Sequence, residues 1–81
     1  MFKHKTSDGK HNICGEKIKT LRKNLPLKTS QRMLAELMQL QGIDIDKSAI
    51  KCMENGSRYI TDIELKALCS IFSVSADYLL N

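Results

Sequence analysis

The sequence predicts an all-α domain of five short helices. Apolar residues recur at helical spacing in separate stretches, residues suited to helix N-caps open those stretches, and Pro or Gly closes several of them. With 81 residues the chain has room for a single core, since a domain takes roughly 100–200. The 42% hydrophobic and 27% charged residues, with a net charge of only +4, argue against a wholly disordered chain.

Residues 1–12 are read as a disordered basic leader, and 13–81 as the folded domain. The leader carries Lys3, Lys5 and Lys10 against Asp8 and shows no apolar period. Its opening charges have no apolar run behind them, so they are not read as a secretory signal. The first helix starts from Asn12 as N-cap, with Glu16 in the first turn where the helix dipole favours an acid. Cys14, Ile18, Leu21 and Leu25 form its apolar stripe, with Lys17, Lys19, Arg22 and Lys23 off it. Pro26 ends it, because the residue before a proline is pushed out of helical geometry.

Thr29 or Ser30 caps the second helix, whose inner face is Leu34, Ala35, Leu37 and Met38 and whose stop is Gly42. Ile43–Asp46 reads as a turn with Ile45 tucked inward. Asp46 caps a third helix that runs to about Glu54, with Ile50 and Met53 inside and Asn55-Gly56 closing it. Thr61 and Glu64 are spaced as a capping box for the fourth helix, with Leu65, Leu68 and Phe72 as its stripe. Ser75 caps a short fifth helix over 76–80.

Several chemistries are excluded. Cys14, Cys52 and Cys69 are scattered and form no C-x-x-C pair, which suits free thiols in a reducing cytoplasm. No His or second Cys stands at metal-ligand spacing, so no metal or cofactor is expected. No Ser/His, Cys/His or paired-carboxylate set converges, so an enzyme is not expected; His4 and His11 both lie in the leader. No apolar run approaches the roughly 20 residues that cross a bilayer, and a chain this short leaves no room for a small-molecule sensing domain. The basic balance, with a pI of about 9.1, raises the expectation of an anionic partner without naming it.

Two helices joined by a turn, with others packed behind, suggest a helix-turn-helix. Ser30-Gln31, Leu34-Ala35, Ile50 and Met53-Glu54-Asn55-Gly56-Ser57-Arg58 sharpen this, as do Gly15–Arg22 before them and Thr61–Leu80 after them. This ordered set resembles the lambda-repressor-like (Xre-type) DNA-binding family over residues 14–81. The resemblance implies a five-helix domain whose helix-turn-helix is formed by helices 2 and 3. Ala35 and Ile50 lie fifteen positions apart, wider than in the compact form of the motif, so the chain looks like a long-turn branch. The extra residues fall in 39–44 and either lengthen helix 2 or enlarge the turn.

By that resemblance the base-reading positions are Lys47, Ser48 and Cys52, with Lys51 either reading bases or holding phosphate. The spacing agrees, because 47, 48, 51 and 52 share one helical face and a recognition helix meets base edges with its first turn. Lys can donate to guanine and Ser to several acceptors, whereas a thiol is a poor donor. Gln31 is implied as a phosphate anchor at the start of helix 2, with Arg32 as a second contact. The loop bearing Ser57 and Arg58 looks like a further phosphate contact. Arg22 and Glu54 match an interhelical ion pair of the family. The partner implied is double-stranded DNA with a pseudo-palindromic operator, bound by a homodimer formed in solution or only on DNA. Its expected surface is Tyr78, Leu79 and Leu80, with closing of the core as the other fate open to these residues. The function implied is that of a prokaryotic or phage transcriptional regulator, a repressor, in the cytoplasm. An antitoxin-type protein-interaction module of the same fold is the alternative.

Overall fold

The computed structural model describes residues 11–80. Five helices form: α1 (Gly15–Asn24), α2 (Gln31–Leu40), α3 (Lys47–Asn55), α4 (Asp62–Phe72) and α5 (Ala76–Leu80). A single 3₁₀ turn, Pro26–Lys28, lies between α1 and α2. α3 packs on both α1 and α2, while α4 supports α2, α1 and α5. Among the described residues there is no strand, and no helix is long and apolar enough to cross a membrane.

The caps account for most boundaries. Ser30 Oγ accepts the Met33 N–H at 3.1 Å and Asp46 Oδ1 the Ala49 N–H at 2.9 Å. Thr61 and Glu64 close a reciprocal capping box, and Ser75 Oγ accepts the Tyr78 N–H. Gly56 ends α3 in the left-handed region at φ +81°, a backbone conformation that L side chains rarely adopt. The N-cap of α1 is Cys14 rather than Asn12. Asn12 still supplies the capping oxygen, since its Oδ1 accepts from Cys14 N at 3.2 Å and Gly15 N at 2.8 Å. The Asn12 side chain reaches forward over the start of the helix.

Ile18, Leu34, Met38, Ile50, Met53, Leu68 and Leu79 are fully enclosed, so every helix contributes to one core. Leu37 was expected inside but is more than one-third exposed; the seam of α2 is Leu34, Ala35 and Met38. Of the three residues offered either for a dimer surface or for closing the core, Leu79 closes the core, while Tyr78 and Leu80 are half exposed. The Lys17 ammonium donates to the Tyr78 carbonyl at 2.7 Å and stands 5.1 Å from its ring centroid, which pins α5 to α1. Cys14 is buried and all three thiols are free; desolvation pushes the Cys14 thiol above its usual pKa, so the reactive thiolate is disfavoured there.

Two connections set how α3 is presented. Between α2 and α3, helix geometry stops at Leu40 and the extra residues go into the turn 41–46. Gly42 takes φ +85°, Ile43 N–H donates to the Met38 carbonyl, and Ile45 is buried. Gln39 Nε2 donates to the Ile45 carbonyl at 2.7 Å, so α2 itself holds the enlarged turn. Between α1 and α2, Leu27 and Lys28 both take positive φ, a conformation that costs L-residues roughly 1–2 kcal/mol each. Thr29 Oγ1 donates to the Pro26 carbonyl and clamps that reversal.

Of the expected leader, residues 1–10 lie outside the described residues. His11 and Asn12 are bonded to the domain: His11 N–H donates to the Gly56 carbonyl at 2.7 Å, and the Asn12 amide bonds the Met53 and Arg58 carbonyls.

Candidate nucleic-acid interface

α3 is amphipathic in the plainest sense. Ile50, Met53 and Glu54 face inward, and Ala49 and Cys52 are half-buried at the flanks. Lys47, Ser48, Lys51 and Asn55 are exposed. The outer face therefore holds two lysines, a hydroxyl and an amide, with no acid between Asp46 and Glu54. Cys52 sits at the edge of this face rather than on its crest.

Surface grooves border α3, and two of them are lined by residues of its exposed face. One, of about 590 Å³, lies against α2 and is lined by Arg32, Ala35, Glu36, Gln39, Asp46 and Lys47. The other, of about 370 Å³, lies toward α1 and is lined by Glu16, Lys19, Gln31, Lys51, Glu54 and Asn55. The second groove adds Asn55, which opens the loop read from sequence as contacting phosphate, and Lys19, which sequence reasoning did not single out as a contact. The signal for Lys19 was present, since it is a cation off the apolar stripe of α1, but spacing along one helix cannot say which other helix it will meet.

Glu54 organises the back of this face. Its carboxylate accepts from Arg22 Nε at 2.5 Å and from Arg22 Nη2 at 3.0 Å. Arg22 Nη1 donates onward to the Thr29 carbonyl at 3.0 Å. Arg22 had been read as lying off the buried stripe of α1, yet it is 9% exposed and Glu54 is 4% exposed. The fork geometry of guanidinium explains how a charge can sit there, because two parallel bonds meet one carboxylate and the remaining donor meets a carbonyl.

Gln31 joins the same network. Its Nε2 donates to Glu54 Oε1 at 3.0 Å, and the residue is half-buried at the first position of α2. An amide nitrogen carries two hydrogens. One is used by Glu54, and the other remains for an acceptor at the mouth of the groove. The sequence suggested the residue but not this carboxylate behind it.

The other expected phosphate contacts are placed differently. Arg32 is on the surface and pairs with Glu36 one turn along α2 at 3.5 Å. Ser57 is exposed, with its N–H bonded to the Cys52 carbonyl and to Asn55 Oδ1. Arg58 is not a free cation of the loop. Its two Nη atoms each lie 3.1 Å from a Glu64 carboxylate oxygen, and Glu64 is itself buried. The α4 capping box holds that carboxylate at the loop, so the Arg58 charge is already met within the domain.

Among the described residues no group of His, Cys, Asp or Glu could hold a metal ion. No curated protein and no solved structure matches the chain. A helix-turn-helix family model matches residues 18–79, which takes in the pair Arg22–Glu54, both helices of the motif and the buried Leu79. With this fold and this exposed α3, the chain belongs to the lambda-repressor-like (Xre-type) helix-turn-helix family of DNA-binding regulators.

Proposed function

We propose that the protein is a sequence-specific repressor of transcription that acts in the cytoplasm of a prokaryote, or on behalf of a phage, without enzymatic activity. The observation that carries this reading is the exposed face of α3, cationic and free of acids, held from behind by a buried ion pair. A rigid helix whose first turn offers Lys47 and Ser48 can donate hydrogen bonds to base edges in the major groove. Lys51 stands one turn further on, where it meets either a base or the backbone. Cys52 contributes at most a small apolar contact, given its half-buried position. Gln31 and Ser57, on either side of α3, bond to phosphate, and Lys19 and Arg32 add charge along the strand. Arg58 serves to hold the loop.

One such helix covers few base pairs. A homodimer therefore reads two half-sites about one turn of DNA apart, and the operator is pseudo-palindromic. Tyr78 and Leu80 offer the exposed apolar surface at the C-terminal end for that contact.

The test is a set of affinities for a duplex that the protein selects from a random-sequence pool, and for a scrambled duplex, at several salt concentrations. Phosphate contacts make log K fall linearly with log salt on both duplexes. Lys47→Ala and Ser48→Ala should each cost about 1–3 kcal/mol on the selected duplex and much less on the scrambled one. An unchanged selected-to-scrambled ratio in both variants would remove the first turn of α3 from base reading. Sedimentation with the selected duplex reads the stoichiometry, and one chain per duplex would refute the dimer.

A further inference from the structure

Asn12 lies ahead of the helix-turn-helix and is bonded to four groups in three segments of the fold. Its Oδ1 accepts the N–H groups of Cys14 and Gly15, at 3.2 and 2.8 Å, and so caps α1. Its Nδ2 donates to the Met53 carbonyl at 3.1 Å and to the Arg58 carbonyl at 2.9 Å. Those two carbonyls stand at the two ends of the turn that closes α3 and leads to α4. The preceding residue adds a third tie, His11 N–H to the Gly56 carbonyl in the middle of the same turn. The inner edge of residues 53–58 is thus stitched to residues 11 and 12, while Asn55 and Ser57 are exposed on the turn. Gly15 keeps the two segments this close. A Cβ there would lie 2.5 Å from the Met53 carbonyl oxygen and 2.7 Å from that of Glu54.

We infer that Asn12 is a positioning residue for DNA binding: its amide fixes the α3–α4 turn so that Asn55 and Ser57 meet the backbone of DNA. The inference rests on the proposed DNA-binding function of α3. The geometry dictates its signature. Lys47 and Ser48 lie at the opposite end of α3 and are anchored by the Asp46 cap and the Ile45 turn, so base reading does not pass through Asn12. Loss of the amide should weaken backbone contacts alone. Those contacts are neutral, so the salt dependence should stay as it is.

The experiment uses the full chain with Asn12→Ala and Asn12→Asp, and with Ser75→Ala as a control that removes the cap of α5, outside the α3–α4 turn. Asn12→Asp keeps oxygen acceptors for α1 and loses both donors to the turn. Amide hydrogen exchange should accelerate about tenfold at Gly56 and Ser57 in both Asn12 variants, with the amides of α2 and α4 unchanged. Affinity should fall about tenfold on selected and scrambled duplexes alike, leaving the ratio between them intact, and the salt slope should stay intact in Asn12→Ala, where no charge changes. Ser75→Ala should lower the melting temperature with affinity retained. Wild-type exchange rates at Gly56 and Ser57 in the Asn12 variants would overturn the inference. So would full DNA affinity in those variants, or an equal affinity loss in Ser75→Ala at matched melting temperature. If the wild-type chain binds no duplex at all, the proposed function fails, whereas the exchange measurement still reads whether Asn12 orders the turn.

Discussion

The back of α3 and the turn that follows it are each held by an arginine on a glutamate, and the two pairs are in different surroundings. Arg22–Glu54 joins side chains that are 11% and 3% exposed, contributed by different helices. Arg58–Glu64 joins side chains that are 34% and 9% exposed, six residues apart in the chain. Both are bidentate. Behind α3, water has been excluded, so each partner depends on the other, and Gln31 and the Thr29 carbonyl complete the set of bonds. At the turn, solvent reaches the guanidinium and competes for it. The same two residue types therefore form a structural lock in one place and a screened clasp in the other. Burial makes the lock costly to open because a charge left without its partner cannot be hydrated.

The largest expected effect comes from opening the lock. Arg22→Met leaves Glu54 as a lone buried carboxylate and should destabilise the domain by about 3 kcal/mol, with Glu54→Leu similar in size. The double variant Arg22→Met/Glu54→Leu should recover much of that loss, since two apolar groups of like volume need no pairing. Chemical denaturation of the four proteins gives the coupling energy directly. Simple additivity would mean that the pair does not hold the two helices together.

A smaller effect separates the network from the pair. Gln31→Leu removes one neutral donor from Glu54 and should cost about 1.5 kcal/mol of stability. It should also weaken selected and scrambled duplexes alike, with the salt slope unchanged, because no cation is lost. A changed slope would show that Gln31 acts through a neighbouring charge instead.

Smaller again is the clasp. Arg58→Met should cost roughly 0.5–1 kcal/mol, discounted for the exposure of the guanidinium, and the cost should shrink at high salt. If it equals that of Arg22→Met, burial is not what distinguishes the two sites. The same variant reads the role of Arg58 on DNA. Its charge is met by Glu64, so the slope of log K against log salt should stay nearly unchanged; a slope reduced by about one would restore Arg58 as a phosphate contact. The exposed pair Arg32–Glu36 supplies the lower end of the series, at roughly 0.3 kcal/mol or less.

Local signals account for what the chain determined by itself. Ser30, Asp46, the Thr61–Glu64 box, Ser75, Pro26 and Gly56 act within a few residues of where they stand, so α2 to α5 could be bounded from sequence to within a residue or two. The order of motif residues from Gly15 to Leu80 was enough to identify the family, since family resemblance is itself a property of sequence. Side chains were legible where the helical period alone places them. Ile50 and Met53 had to lie, on any regular helix, on the side away from the middle of the face shared by 47, 48, 51 and 52.

What tertiary structure decided concerns groups whose partners are distant in the chain. The spacing of Ala35 and Ile50 allowed a longer helix or a larger turn. Burial of Ile45 and the bond from Gln39 to its carbonyl selected the turn, because a continued helix would have left Ile45 without that buried place. Helical period alone left Arg22 off the buried stripe of α1; the family resemblance paired it with Glu54, 32 residues away, and the fold gave that pair its burial. Arg58 looked like a free cation until the α4 cap brought Glu64 to it. Lys17 and Asn12 follow the same rule. A polar or charged side chain is placed by whichever partner satisfies it in the fold, and burying it without that partner costs more than most local preferences can supply. Sequence spacing carries the helical period but not the identity of a partner across the core.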